Sequence, residues 1–224
     1  MKTKFITVLA ATALIVTAYS CKGEKKNETE ATTAEEVKEA PVEAVLYKVD
    51  VTSSTIEWTG FKPAEKHTGT LGLVSGSLEL KDENIESGAF VIDMNSITVT
   101  DLEGDEKTSL EGHLKGEGEG KEDHFFNVAK HPKAVFEITG ISEKDGKTFI
   151  DGNLTIKDIK KNISFPATTS INENTMTLDT EAFTINRTEW GVNYASKSVF
   201  ENLGDKFIND DIELKISIKA NKAP

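Results

Sequence analysis

Ile212-Glu213-Leu214-Lys215-Ile216-Ser217-Ile218-Lys219 alternates aliphatic and polar residues without a break. Successive side chains of a strand point to opposite faces, so this stretch carries one wholly aliphatic face and one wholly polar face. An antiparallel strand with a core on one side and water on the other requires that pattern. The same period of two recurs upstream. Phe90, Ile92 and Met94 alternate with Val91 and Asp93, and Phe136 and Ile138 with Glu137 and Thr139. Leu154 and Ile156 alternate with Asn153, Thr155 and Lys157.

Turn signals separate these runs. Lys144-Asp145-Gly146-Lys147 holds the Asp-Gly pair that suits a type I′ hairpin, and Asn172-Glu173-Asn174 and Lys157-Asp158-Ile159-Lys160-Lys161 read as two more turns. Helical periodicity is confined to Leu102–Leu114 and Glu122–Ala129, with a single turn over Leu203–Ile208. Many short strands joined by hairpins predict an all-β barrel or sandwich. Gly69, Gly72 and Gly76 within one strand-like stretch predict bulges or strong bending there, which favours the barrel.

The amino terminus has a different character. Lys2 and Lys4 precede an apolar run from Phe5 to Val16, and Thr17-Ala18-Tyr19-Ser20 leads into Cys21, the only cysteine among the 224 residues. A positive region, an apolar core and small residues before a cut are the parts of an export signal. The apolar run is shorter than the ~20 residues that span a bilayer. A lone cysteine directly after such a signal predicts a signal peptide over 1–20, cleavage before Cys21 and acylation of its thiol. The mature chain would then be an exported lipoprotein of the periplasm or cell surface, held at a bacterial outer membrane. An acylated Cys21 leaves no thiol for disulfide, metal or nucleophile chemistry.

Residues 22–45 contain no aromatic residue and are dominated by Glu, Lys, Thr and Ala. Such a stretch buries too little apolar surface to offset chain entropy, so 21–45 reads as the lipidated cysteine and a disordered acidic tether, with the barrel domain over 46–222. The formal charge of −12 becomes −14 once Lys2 and Lys4 are removed. That acidity argues against nucleic acid and against docking on anionic lipid through a basic surface.

Three segments together resemble the YceI-like family. The first is Tyr47-Lys48-Val49-Asp50 with Ser54-Thr55-Ile56-Glu57-Trp58. The second is His113-Leu114-Lys115, Asp123-His124-Phe125-Phe126-Asn127-Val128, His131-Pro132 and Val135-Phe136-Glu137-Ile138. The third is Gly152-Asn153-Leu154-Thr155-Ile156 with Ile185-Asn186-Arg187-Thr188-Glu189-Trp190-Gly191. The resemblance covers about residues 46–220. It implies an eight-stranded antiparallel lipocalin-like β-barrel with one or two short helices, and binding of a polyisoprenoid or similar amphiphile without catalysis or cofactor. In one respect the chain departs from the family: Gly116-Glu117-Gly118-Glu119-Gly120-Lys121 lengthens the link between His113 and Phe125, which puts their juxtaposition in doubt.

Alternation and resemblance together nominate Trp58, Phe90, Ile92, Met94, Phe136, Ile138, Leu154 and Phe165 as inward-facing candidates for ligand contact. Ile156, Leu178, Ile212, Leu214 and Ile216 share the inward pattern. Phe125 and Phe126 are adjacent, so in a regular element one would anchor a lid and the other line the mouth. Arg187, the only arginine, offers a planar fork for a fixed structural partner or a polar head group. His113, His124 and His131 match no metal-binding spacing, and the acidic run from Asp101 to Asp123 lacks the ligand order of a calcium loop. No phosphate loop or nucleophile elbow is present, so the expectation is neither a metal nor a catalytic site. The competing reading is a barrel with a packed core that presents its acidic loops to an envelope protein.

Overall fold

The computed structural model describes residues 27–224. Cys21 and the stretch read as an export signal lie outside them. The strands are β1 (Thr32–Thr33), β2 (Val45–Val49), β3 (Thr55–Phe61), β4 (Lys66–Lys81), β5 (Asn84–Val99), β6 (Lys133–Lys144), β7 (Lys147–Ile156), β8 (Ile159–Asn172), β9 (Thr175–Thr180), β10 (Phe183–Asn186) and β11 (Asp211–Lys222). One helix, α1 (Gly104–Lys115), lies between β5 and β6.

Strands β4 to β8 run as an antiparallel meander. β8 pairs with β9, β9 and β10 pair with β11, and β11 pairs with β2 and β3. Both β2 and β3 then pair with β4. Because β2 and β3 share one wall position and β9 and β10 another, the ring has eight positions and closes on itself. The aliphatic face of Ile212–Ile218 points inward, as its alternation requires. Where β4 needs to bend, its register with β5 shifts between Thr70 and Gly72 and between Leu73 and Ser75, in the glycine-bearing stretch.

Three hairpins turn on two residues with positive φ: Asp82 and Glu83 (49° and 65°), Asp145 and Gly146 (52° and 73°), and Lys157 and Asp158 (47° and 63°). These are type I′ geometries, whose twist matches that of the flanking strands. The turn expected over Lys157–Lys161 is thus tighter than its sequence shows, with Ile159 already in β8. Helix α1 falls where helical spacing predicts it. Glu122–Ala129 is not a helix but a series of turns with Asn127 at φ 46°. Leu203–Ile208 holds only a short 3-10 turn, Gly204–Lys206.

The disordered tether expected over 21–45 is corrected for residues 27–35. Asn27 to Glu35 lies along the outer wall. Thr29 donates from its backbone N–H to Thr184 O (3.0 Å), and Thr32 and Thr33 pair with Asn162 and Lys161. Glu35 exchanges two hydrogen bonds with the Asn153 side chain (2.9 and 2.7 Å). Composition misleads here because the stabilisation is polar: β8 and β10 leave backbone groups bare on this side, and a short extended segment satisfies them.

Candidate functional site

The barrel is filled at one end and hollow at the other. Tyr47, Leu78, Leu80, Met176 and Ala220 are buried where β2, the end of β4, the start of β9 and the end of β11 meet. Toward the opposite end lies a cavity of about 200 Å³. Trp58, Phe90, Ile92, Met94, Phe125, Phe126, Phe136, Ile138, Leu154, Phe165 and Arg187 all line it, as do Ile156, Leu178, Ile212, Leu214 and Ile216. Leu110 and Leu114 of α1, Ile208 and Phe183 join them, and Lys62, His67 and Asn209 are the other polar residues in its wall. Lys62 is exposed, so the cavity reaches the surface beside it.

Two glycines shape the aromatic wall. A methyl group at Gly152 would strike the Phe136 ring, and one at Gly69 would strike the Trp58 indole and the Thr98 carbonyl. Each glycine is therefore the floor on which one large ring rests. Phe136 lies between Phe90 and Phe165 (centroids 6.4 and 5.4 Å apart), and Phe165 stacks on Phe183 at 4.4 Å.

The mouth is built by the central and last motifs. α1 ends at Gly116 in the left-handed conformation, and the chain returns so that Phe126 N–H donates to Leu114 O (3.2 Å) and Val128 N–H to Lys115 O (2.9 Å). Lys157 in the β7–β8 turn donates to Phe125 O (3.0 Å), which pins the segment to the rim. The longer link from 116 to 121 therefore does not separate His113 from Phe125; their rings meet edge-on at 5.1 Å. Both phenylalanines line the cavity, contrary to the expectation that adjacent residues would divide the two roles. Irregular backbone here frees them from strand or helix geometry.

His113 Nε2 and His124 Nδ1 lie 2.7 Å apart, and Tyr194 stacks on His124 at 4.1 Å. Burial, then the charges of His124 and Lys121, hold His113 below the ordinary imidazole range. His131 stands apart, paired with Asp158 at 3.1 Å. Among the described residues no three His, Cys, Asp or Glu side chains converge as a metal site would need.

Arg187 is 3 % exposed and spends its fork on main-chain carbonyls: Nε on Asn209 O (3.0 Å), Nη1 on Val192 O and Nη2 on Ile208 O (3.1 Å). Asn186 accepts from Thr188 N–H (3.0 Å), and Trp190 is fully buried and donates to Leu154 O (3.0 Å). The motif from 186 to 191 thus holds one corner of the mouth together. The sequence did not point to His67, which sits on the rim with Nδ1 3.0 Å from Asp101 Oδ2. Leu110 and Leu114 could have been found, since their spacing of four places both on one helix face.

A YceI-like domain matches residues 47–220. The chain belongs to the YceI-like family. Among solved structures, the YceI-like fold is shared with BcnA of Burkholderia cenocepacia, at TM-score 0.60 and 20% identity over 77% of this chain and 99% of that one. It is also shared with a polyisoprenoid binding domain from Saccharophagus degradans implicated in plant cell wall breakdown, at TM-score 0.55 and 13% identity over 80% and 99% of the two chains. At these identities the likeness is one of fold: a lipocalin-like β-barrel. No curated protein matches the sequence significantly.

Proposed function

We propose that this YceI-like protein binds an isoprenoid or similar amphiphilic lipid in its barrel without transforming it, working in the bacterial envelope from an acylated Cys21. The observation that carries this reading is the apolar cavity of about 200 Å³ that reaches the surface beside Lys62. Apolar cavities of ~150 Å³ already take up ligands as small as benzene. The S. degradans relative, described as a polyisoprenoid binding domain, supports the same ligand class.

The physics favours a long tail. Burying a CH₂ group contributes about 0.8 kcal/mol, whereas association costs roughly 4–15 kcal/mol in lost freedom. A tail of about ten buried carbons therefore gains roughly 8 kcal/mol, within the range of that cost, so each further carbon sheltered in the cavity or its mouth adds to affinity. Its polar head would rest at the rim, beside Lys62, His67 and Asn209. Arg187 is committed to backbone carbonyls and serves the mouth as a brace.

Native mass spectrometry of the gently purified protein, followed by lipid extraction, tests the reading. A stoichiometric apolar adduct is expected; an empty protein that also takes up no added fifteen-carbon or longer isoprenoid alcohol overturns it. The anchor is tested separately: Cys21→Ser should move the protein from the membrane to the soluble fraction. The packed-barrel alternative needs a filled interior instead, and a protein that neither carries nor takes up lipid would favour it.

A further inference from the structure

The ring of strands is not closed by its own strands along its whole length. β8 pairs with β7 and β9, and β10 pairs with β11. Among the described residues no ladder pair joins β8 to β10 directly. Residues 27–33 cross the interval, pairing with β8 at Lys161 and Asn162 and with β10 at Thr184. This segment runs antiparallel to β8 at Thr32 and Thr33 and parallel to β10 at Glu28. Two such inter-strand spacings of ~4.8 Å would set β8 and β10 about 10 Å apart where the segment lies between them. Directly beneath the seam lies the cavity, since Ile163, Phe165, Phe183 and Ile185 all line it. The stacked rings of Phe165 and Phe183 span the interval from inside.

The seam strand is held mainly by polar contacts. Glu28-Thr29-Glu30-Ala31-Thr32-Thr33-Ala34-Glu35 has no side chain larger than alanine to pack apolarly, and of it Ala31 reaches the core. Its attachment includes main-chain hydrogen bonds, the Asn27 amide on Ala182 O (2.9 Å), the buried Thr29 hydroxyl on Thr184 O (2.8 Å) and the Asn153–Glu35 pair. Water can replace these polar partners when the strand lifts. Elements with few apolar contacts open at low cost compared with the core.

We propose that residues 27–35 are a displaceable seam strand, and that the slot between β8 and β10 which they cover is a lateral portal through which the lipid tail passes to and from the cavity. The proposal rests on the lipid-binding reading above. Lifting the strand and turning the Phe165 and Phe183 rings aside opens a gap wider than a hydrocarbon chain, and the tail slides in sideways while its head stays in water.

The test uses the full chain with Cys21→Ser, Thr33→Cys and Lys161→Cys, which places the only two thiols at paired positions of the seam. The probe is cis-parinaric acid, a polyene fatty acid that fluoresces when shielded from water. Oxidation should slow its uptake and release at least tenfold while changing its Kd less than twofold, and reduction should restore both rates. Equal rates in the two redox states would overturn the portal while leaving the cavity reading intact. No binding in either state would overturn both. A second variant needs no crosslink: Thr29→Val removes the hydroxyl contact and should speed exchange severalfold, and unchanged rates would count against the portal.

Discussion

Asn153 is the sharpest probe of whether residues 27–35 belong to the folded structure. It lies on β7, 1 % exposed, with its side chain turned to the outer wall beneath Glu35. Its Oδ1 accepts from Glu35 N–H (2.9 Å) and from Asn162 Nδ2 (3.2 Å), and its Nδ2 donates to Glu35 O (2.7 Å). Asn153→Ala removes all three bonds. Each neutral hydrogen bond contributes about 0.5–1.5 kcal/mol net, so retention of the seam strand would cost roughly 2–4 kcal/mol. Asn162 keeps a bond to Thr139 Oγ1 (3.0 Å), and the Glu35 groups can turn to water, which places the expected loss near the lower end, about 2 kcal/mol. For a domain of this size that lowers Tm by about 4–8 °C. Urea unfolding should show a lower midpoint with an unchanged slope, and hydrogen exchange should rise over residues 27–35 far more than over β6 to β8. A loss under about 0.5 kcal/mol with unaltered exchange at the amino-terminal segment would refute the reasoning, because the segment would then contribute nothing to the fold.

Three further outcomes are expected. Arg187→Lys loses a fork that bonds three main-chain carbonyls, and a single ammonium cannot span them, so stability should fall by about 3 kcal/mol in chemical denaturation. Leu214→Trp puts an indole into the cavity from β11; parinarate binding should be lost while the circular dichroism spectrum stays unchanged. His113 is held below the ordinary imidazole value of about 6.5, so the unfolded chain takes up the proton first as pH falls. Its contribution to stability should be constant above that value and decline below it, and His113→Gln should flatten that part of the stability–pH curve.

The fold was legible because β5, β6, β7 and β11 each carry apolar residues at every second position over part of their length. Ile212 to Ile218 could only be a half-buried strand, and its ten inward-facing counterparts elsewhere in the chain all reach the same cavity. The mouth was legible only in part. Phe125 and Phe126 obey no period, because Asn127 with φ 46° and the returns to Leu114 and Lys115 set their direction, and these depend on contacts far away in sequence. His67 carries no local signal either; its place on the rim follows from the β3–β4 hairpin and from Asp101 across the strand.

The seam strand was invisible for a more general reason. Composition tests ask whether a segment can bury enough apolar surface of its own to offset chain entropy, and residues 27–35 fail it. What orders them is written elsewhere, in residues that look anomalous where they stand. Asn153 and Asn162 are opposite one another on β7 and β8, and both are buried on the wall face that alternation assigns to water. Thr139 on β6 is buried beside them. Two asparagines are poor strand formers, and on an outward face they gain nothing from solvent they cannot reach. Their amides make sense only if a further stretch of backbone lies across them, which is where Glu35 is found. A polar residue buried on the outside of a barrel is therefore a mark of a strand added from beyond the ring. In this chain the strand so marked runs on from Asn162 to Thr184 and covers the interval between β8 and β10.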